Sequence, residues 1–430
     1  MNLIDRLKAN KTLLNGGLFS VFAFFNRGVA FLLLILLANY IAPAEYGRLS
    51  LFNTIVQFMG YFVALSTQGY MGVSYFKRGP VLFKKDLSTI CFICLLGTLF
   101  FCLFVAAGGG WLSKVSDLPV SFLWLAIIIS FMEIFQLMWL DYYRIQEKVW
   151  KYGIVSCSIA ILNLVLSLYL VISLDLNWSG RVYSHVACSV LFGILGIIYF
   201  GRQKLYTKDI DWNNIKMLAL WGIPLIPHLA SVWIKQGGDR FIINHFHSVD
   251  SVGLFSFAIN LTSIIIIIGS AFNSSNSVSI FKILSEKIPA EQKRKQLKRQ
   301  TRNITLITLL ATGLVVLGGS LLVPIILPRY APSIPYFLIL SIQGLGQCFY
   351  FLFCNYLFYY SKNKQIMYVT FSSAVIHLGL SVLLTRYSLY LTCIIYVFSQ
   401  ALVTVLIYVL SQRVLKEKLV DGAEESNNVL

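Results

Sequence analysis

Residues 87–107 read LSTICFICLLGTLFFCLFVAA, 21 residues without a single charge. At ~1.5 Å per residue, a helix of this length spans the ~30 Å of bilayer hydrocarbon. Comparable runs flank it in the chain. Leu18–Leu37 is broken only by Asn26-Arg27, and Leu254–Ala271 is rich in isoleucine. The runs are Leu-, Ile-, Phe- and Val-rich with scattered Gly and lack the short alternating pattern of barrel strands, so they read as helical spans. Over 430 residues, 57% are hydrophobic and 12% charged. A soluble globular chain carries about 25% charged residues on its surface and elsewhere. The fold class is therefore an all-α polytopic membrane protein, with no room for a soluble catalytic domain.

Working outward gives twelve predicted spans, near 15–40, 48–69, 87–109, 118–140, 152–174, 180–200, 217–238, 252–273, 303–327, 335–357, 366–385 and 389–411. Basic residues orient them. Of 35 Lys and Arg, 27 fall at the N-terminus and in alternate loops. Seven fall on the other side (Arg48, Lys114, Arg181, Lys235, Arg240, Arg329 and Arg386), and Arg27 lies inside the first span. Such a bias places both termini in the cytoplasm of a bacterial inner membrane. The net charge of +17 then reflects an anionic inner leaflet, with anionic lipids as partners and no role for nucleic acid. Met1–Leu14 reads as an amphipathic stretch on the inner surface, ahead of the first span. Trp111, Trp139, Trp150, Trp178 and Trp212 stand near span ends, as an interfacial belt would.

The eight cysteines all fall in apolar segments. Cys91 and Cys94 form C-x-x-C without a companion pair or histidine, so packing outweighs metal or redox chemistry. No motif requires a metal or another cofactor. A weak internal repeat aligns Gly47 and Ser50, after the first span, with Gly253 and Ser256, after the seventh. Six spans per copy keep both in one orientation, as in parallel transporter repeats. The expected organisation is an N-lobe over 1–200, a cytoplasmic linker over 201–216, a C-lobe over 217–411 and a cytoplasmic tail over 412–430.

Ionisable groups within spans are costly in lipid and mark candidate sites. Arg27, beside Asn26, lies mid-span. Glu133 lies near the middle of span 4 and is the only carboxylate read as deep in a span. Lys235, Asp239 and Arg240 follow near the outer end of span 7, where Gly237-Gly238 loosens the helix. His185, His228 and His377 complete the set, with Gln57, Asn163 and Asn260 among the uncharged polar groups. Two readings stand side by side. Arg27 either pairs with Glu133 and locks the bundle, or grips an anion in a water-filled cavity between lobes, where a guanidinium offers two directed bonds to phosphate. Asp239-Arg240 is either a structural clasp or part of that cavity. The candidate substrate-binding residues are Arg27, Asn26, Gln57, Lys235 and Arg240. The candidate ion-coupling or gating residues are Glu133 and Asp239, working with a proton or sodium gradient.

The sequence also resembles a known family along essentially its whole length. The carriers are Ala42-Pro43-Ala44-Glu45-Tyr46-Gly47, then Arg144-Ile145-Gln146-Glu147-Lys148 followed by Tyr152-Gly153. Next come Gly222-Ile223-Pro224-Leu225-Ile226-Pro227, Asp239-Arg240-Phe241-Ile242-Ile243 and Val252-Gly253-Leu254-Phe255. In their order and placement relative to the spans, they are similar to those of the polysaccharide repeat-unit (O-antigen and capsule) flippases of the multidrug/oligosaccharidyl-lipid/polysaccharide exporter superfamily. The resemblance implies two six-helix lobes forming a V that opens alternately to each side. It implies an undecaprenyl-pyrophosphate-linked oligosaccharide as substrate, other polysaccharide assembly proteins as partners, and a cationic cavity for which Arg27 is the clearest candidate. Two further C-terminal spans of some relatives are absent, which argues against the peptidoglycan-precursor branch. A drug or cation antiporter of the same fold is the alternative, although cationic drugs favour acidic cavities. A membrane polysaccharide polymerase or ligase would need a large outer loop, and the outer loops here are short.

Overall fold

A computed structural model describes the backbone of residues 3–286 and 288–427. Side chains are described over this range except those of 3–16, Leu34, His228, Gln236, Ser275 and 419–427. The expected surface position of Met1–Leu14 and the role of His228 lie outside the described residues. Every regular element among the described residues is helical.

The first half of the chain runs through α1 (Leu3–Ala38), α2 (Pro43–Val63), α3 (Tyr70–Lys77), α4 (Gly79–Ser116), α5 (Val120–Ile145), α6 (Val149–Leu168) and α7 (Asn177–Arg202). Then come α8 (Trp212–Gly222), α9 (Ile226–Trp233) and α10 (Asp239–Phe246). The second half is built from α11 (Val249–Ser285), α12 (Ala290–Ile326), α13 (Ile334–Tyr359), α14 (Asn363–Leu384) and α15 (Leu389–Asn427). Among the described residues, eleven helices are long and apolar enough to cross a membrane. A twelfth span results if Pro43–Val63 and Thr67–Lys77 are joined across their 62° bend. In order, these match the twelve predicted spans. The bend itself is not legible in the sequence: Leu65 and Ser66 take left-handed φ of 47° and 59° without being glycine, a strained conformation held by its surroundings.

The chain divides into two compact units, Met1–Trp233 and Ile234–Leu430. The boundary falls later than the expected linker at 201–216, inside the seventh span, and the bonds of residues 207–233 give the reason. Thr207 donates its amide to Ser88 Oγ at 2.8 Å. Lys85 Nζ lies 3.2 Å from Asp209 and 2.5 Å from Asp211. Asp211 caps α8 by accepting from the Asn214 amide at 2.7 Å. The Lys85 ammonium and that amide hold the Asp211 carboxyl below its usual range. Asn214 in turn donates to Thr89 at 2.9 Å, and Arg78 bridges buried Asp86 (2.8 Å) and Asn214 (3.3 Å).

Further along, Gly222 lies against the break in the second span, where a Cβ would overlap the Leu65 carbonyl oxygen. Trp233 donates its indole N–H to the Thr54 carbonyl at 3.0 Å. The segment is therefore fastened to the first unit up to Trp233. Pro224 and Pro227 interrupt its backbone bonding, and the wide turn Ile234–Gly238 ends it. The expected loosening at Gly237-Gly238 is present as that turn.

Two motifs acquire physical reasons. Gly153 provides the slot into which the Phe22 ring of α1 fits, since a Cβ there would overlap it. Phe22 also meets Trp150 edge-on at 6.1 Å, and Phe19 meets Tyr152 at 5.1 Å. Gly47 and Gly253 both stand at the fifth residue of their helices, α2 and α11, and both are buried. The tryptophan belt needs correction. Trp111, Trp150 and Trp212 are exposed, but Trp139 and Trp178 are core residues, and Trp178 stacks on Phe122 at 4.5 Å. In the second unit, the core includes Ile280, Leu297, Leu352 and Tyr356.

Candidate substrate and coupling sites

Within the first unit, α1 packs mainly on α6. Arg27 lies midway along the candidate span Gly17–Ala38 and is exposed. It has no hydrogen bond or ion pair among the described residues. Val21, Phe24, Phe25 and Leu32 of the same helix are exposed as well. The reason is that α1 has few neighbours to cover it. Asn26 turns the other way, and its Oδ1 is buried without a partner. Gln57 on α2 is exposed and donates to the Tyr61 hydroxyl at 3.1 Å.

Glu133 does not pair with Arg27. Its Oε1 lies 2.7 Å from His185 Nε2 on α7, and the two side chains are 35% and 17% exposed. This overturns the lock between Arg27 and Glu133. One turn before His185, Arg181 points into the unit. It donates to Asn163 at 2.8 Å and to Ser184 at 3.3 Å, with Glu133, Tyr46 and Cys188 as its titratable neighbours. Arg181, counted with the outer-side cations at the start of the sixth span, stands near the start of α7 with its guanidinium satisfied by side chains, which charge counting alone cannot detect.

In the second unit, the polar groups of α10 and the preceding turn find partners on α11 and α14. Lys235 donates to Ser373 at 2.9 Å. Arg240 Nε donates to Ser256 at 3.1 Å, so the repeated serine of α11 holds a guanidinium here. Asp239 Oδ2 lies 2.7 Å from His377 Nε2, and both side chains are 1% exposed. The other ring nitrogen of His377 is 2.9 Å from Ser399 Oγ, and the ring stands edge-on to Tyr396 at 4.8 Å. An ionised Asp239 can only accept, so Nε2 then carries the proton. Asp239 is thus more enclosed by protein than Glu133, although α10 lies outside the candidate membrane spans that hold Glu133. Lys235 and Arg240, counted among outer-side cations, are likewise inside helical structure with polar partners. His377 and Ser399 form part of the cluster that sequence reasoning missed in its particulars. An ionisable residue at a helical position was the only signal, and it does not name its partner.

No family model matches the chain. A curated relative from Haemophilus influenzae, "Lsg locus putative protein 1", is 24% identical over 371 residues, covering 83% of this chain and 87% of the relative. Among solved structures, the inward-facing form of a multidrug resistance MATE family transporter of the MOP superfamily superposes with a TM-score of 0.72 at 11% identity. That match covers 91% of this chain and 95% of the other. The lipid II flippase MurJ in an inward closed conformation gives 0.71 at 13% identity, covering 94% and 90%. The chain therefore shares the fold of these two solved structures and is a multi-pass membrane protein.

Proposed function

We propose that this protein is a flippase that carries undecaprenyl-pyrophosphate-linked oligosaccharide repeat units from the cytoplasmic to the outer leaflet of a bacterial inner membrane, for O-antigen, capsule or exopolysaccharide synthesis. The observation that carries the reading is Arg27, an exposed cation at mid-span whose one suspected carboxylate partner is bonded to a histidine instead. On insertion scales, a guanidinium at that depth costs at least ~2.5–3.5 kcal/mol in lipid unless it meets water or an anion. A diphosphate offers that anion and matches the guanidinium fork. Gln57, exposed on α2 of the same unit, suits a sugar hydroxyl. Coupling to a proton or sodium gradient falls to Glu133 and Asp239, the two carboxylates bonded to histidines.

Complementation tests this. A strain lacking its repeat-unit flippase, with matching sugars, should regain surface polysaccharide when given this chain. Arg27→Ala should abolish export at unchanged membrane abundance, while Arg27→Lys keeps partial export. Full export by Arg27→Ala would sink the substrate role. The second reading, a multidrug antiporter, is supported by the likeness to the MATE transporter. It predicts resistance to cationic drugs and no restored polysaccharide.

A further inference from the structure

The strongly basic segment before the ninth span is not a loose loop. It is the first three turns of α12, continuous with the membrane-crossing part of the same helix. One side of these turns is fastened to the second unit. Leu297 is buried with Ile280, Leu284 and Leu352, and Ile304 packs against that cluster. Lys293 donates to the Leu284 carbonyl at 3.0 Å, Gln300 donates to Asn276 at 2.9 Å, and Thr301 meets the Tyr356 hydroxyl at 3.3 Å.

At 3.6 residues per turn, Arg294, Lys295, Lys298, Arg299 and Arg302 cover an arc of roughly 140° on the opposite side. All five are exposed. None has an ion pair among the described residues, and Glu291 in the first turn is the one acid on that side. The same side continues past Arg302 as Leu306, Leu309, Leu310 and Leu314, which are 53%, 44%, 69% and 72% exposed. An uncovered row of leucines on a membrane-crossing helix faces acyl chains. The cations therefore stand directly beneath lipid. From Arg294 to Arg302 the helix rises ~12 Å, which exceeds the ~5–7 Å head-group layer of one leaflet. The lower charges remain within about one or two Debye lengths of it.

We infer that this rigid cationic ridge is a binding surface for the phosphate head groups of anionic phospholipids in the leaflet that meets Arg302. Charge complementarity and the leucine row select the occupant. A lipid that satisfies both has acyl chains against the leucines and a phosphate at Arg302 and Arg299. Anchoring of the opposite helix face means that the backbone carrying the cations need not be ordered on binding, which lowers the entropic cost of association.

The test uses the full chain in nanodiscs made from phosphatidylglycerol and phosphatidylcholine, with a photoactivatable analogue of each carrying the same acyl chain. Mass spectrometry reads adducts on the 303–317 segment. The wild type should favour phosphatidylglycerol there by several-fold. The preference should collapse in 1 M salt, where the screening length is ~3 Å. In Arg294→Gln/Lys298→Gln/Arg302→Gln it should fall towards one, by up to about fivefold per lost charge. Adducts on the exposed face of α4 around Leu95 and Leu99 serve as the internal fold control and should not change. An unchanged ratio at 303–317 in the variant, or a wild-type preference that survives high salt, would overturn the inference. So would displacement of phosphatidylglycerol from the ridge by equimolar polyprenyl diphosphate, which would make the ridge a substrate-docking surface.

Discussion

Among the described residues each unit contains one carboxylate–imidazole pair, and the two pairs share a separation of 2.7 Å but not an environment. Glu133 and His185 are 35% and 17% exposed, whereas Asp239 and His377 are both 1% exposed. The open pair is only partly covered by the rest of the protein. The closed pair has only protein: Ser399 on the second ring nitrogen and the Tyr396 ring alongside. One chemical motif therefore serves two physical situations. A partly covered pair leaves the remaining partner room to find other contacts when one is removed, so breaking it costs less. A sealed pair is strongly destabilising when broken, because the remaining partner is left in a medium that cannot compensate it.

The sharpest way to break this comparison is to remove one partner from each pair. Asp239→Ala and His377→Ala should each destabilise the purified protein by roughly 3–5 kcal/mol. The loss should be read as a lowered thermal midpoint in detergent, with partial recovery in the double variant. Glu133→Ala and His185→Ala should each cost less than about 1 kcal/mol. Equal losses at the two sites would mean that exposure does not distinguish them. A double-mutant cycle sharpens the point further, since its interaction energy should be large for the sealed pair and near zero for the open one.

The second effect is on transport. Glu133→Gln keeps the shape but cannot ionise, so flipping in vesicles should lose its dependence on a proton or sodium gradient while the protein stays folded. Normal gradient dependence would make the open pair structural and shift attention to Asp239. Sidedness is the third prediction, and it fixes which leaflet each unit's ends reach. Cysteines at Asp117, Asn177 and Arg329 should react with an impermeant thiol reagent from outside. Cysteines at Lys84, Lys204 and Lys295 should react only after permeabilisation, and the reverse pattern would invert the topology.

The smallest effect lies outside the spans. Asp211, held below its usual range first by Lys85 and then by the Asn214 amide, stabilises the start of α8 in its charged form. That contribution is present above the ordinary aspartate pKa and is lost as pH falls through the lowered one. Amide exchange at Asn214, followed against pH, should therefore rise below about pH 4. The exchange of α10 around Asp239 should not follow it. Parallel rises would show that the two regions open together.

Arg27 shows how far the sequence reaches and where it stops. Its place in an apolar run was enough to mark it as a costly residue in search of water or an anion, but the run could not say whether Glu133 was its partner. Tertiary structure gave Glu133 to His185, fifty-two positions away. Arg181 is the opposite case. Charge patterning gave it a side of the membrane but no partner, because a single cation at a span end looks the same whether it faces water or Asn163.

The span count and the all-helical class follow from the sequence by itself, because hydrocarbon imposes a minimum apolar length and requires backbone bonds to be satisfied locally. The positive-residue bias sets the expected orientation for an equally local reason. The break at Leu65-Ser66, the fastening of residues 207–233 to the first unit, the partners of Glu133 and Asp239 and the exposed ridge of α12 were decided only by tertiary structure. Each depends on which helix faces lie together, and in membrane spans those faces are set by small residues such as Gly153 and Gly222 and by paired polar groups. Hydrophobic periodicity is largely silent about them because lipid-facing and core-facing positions are both apolar.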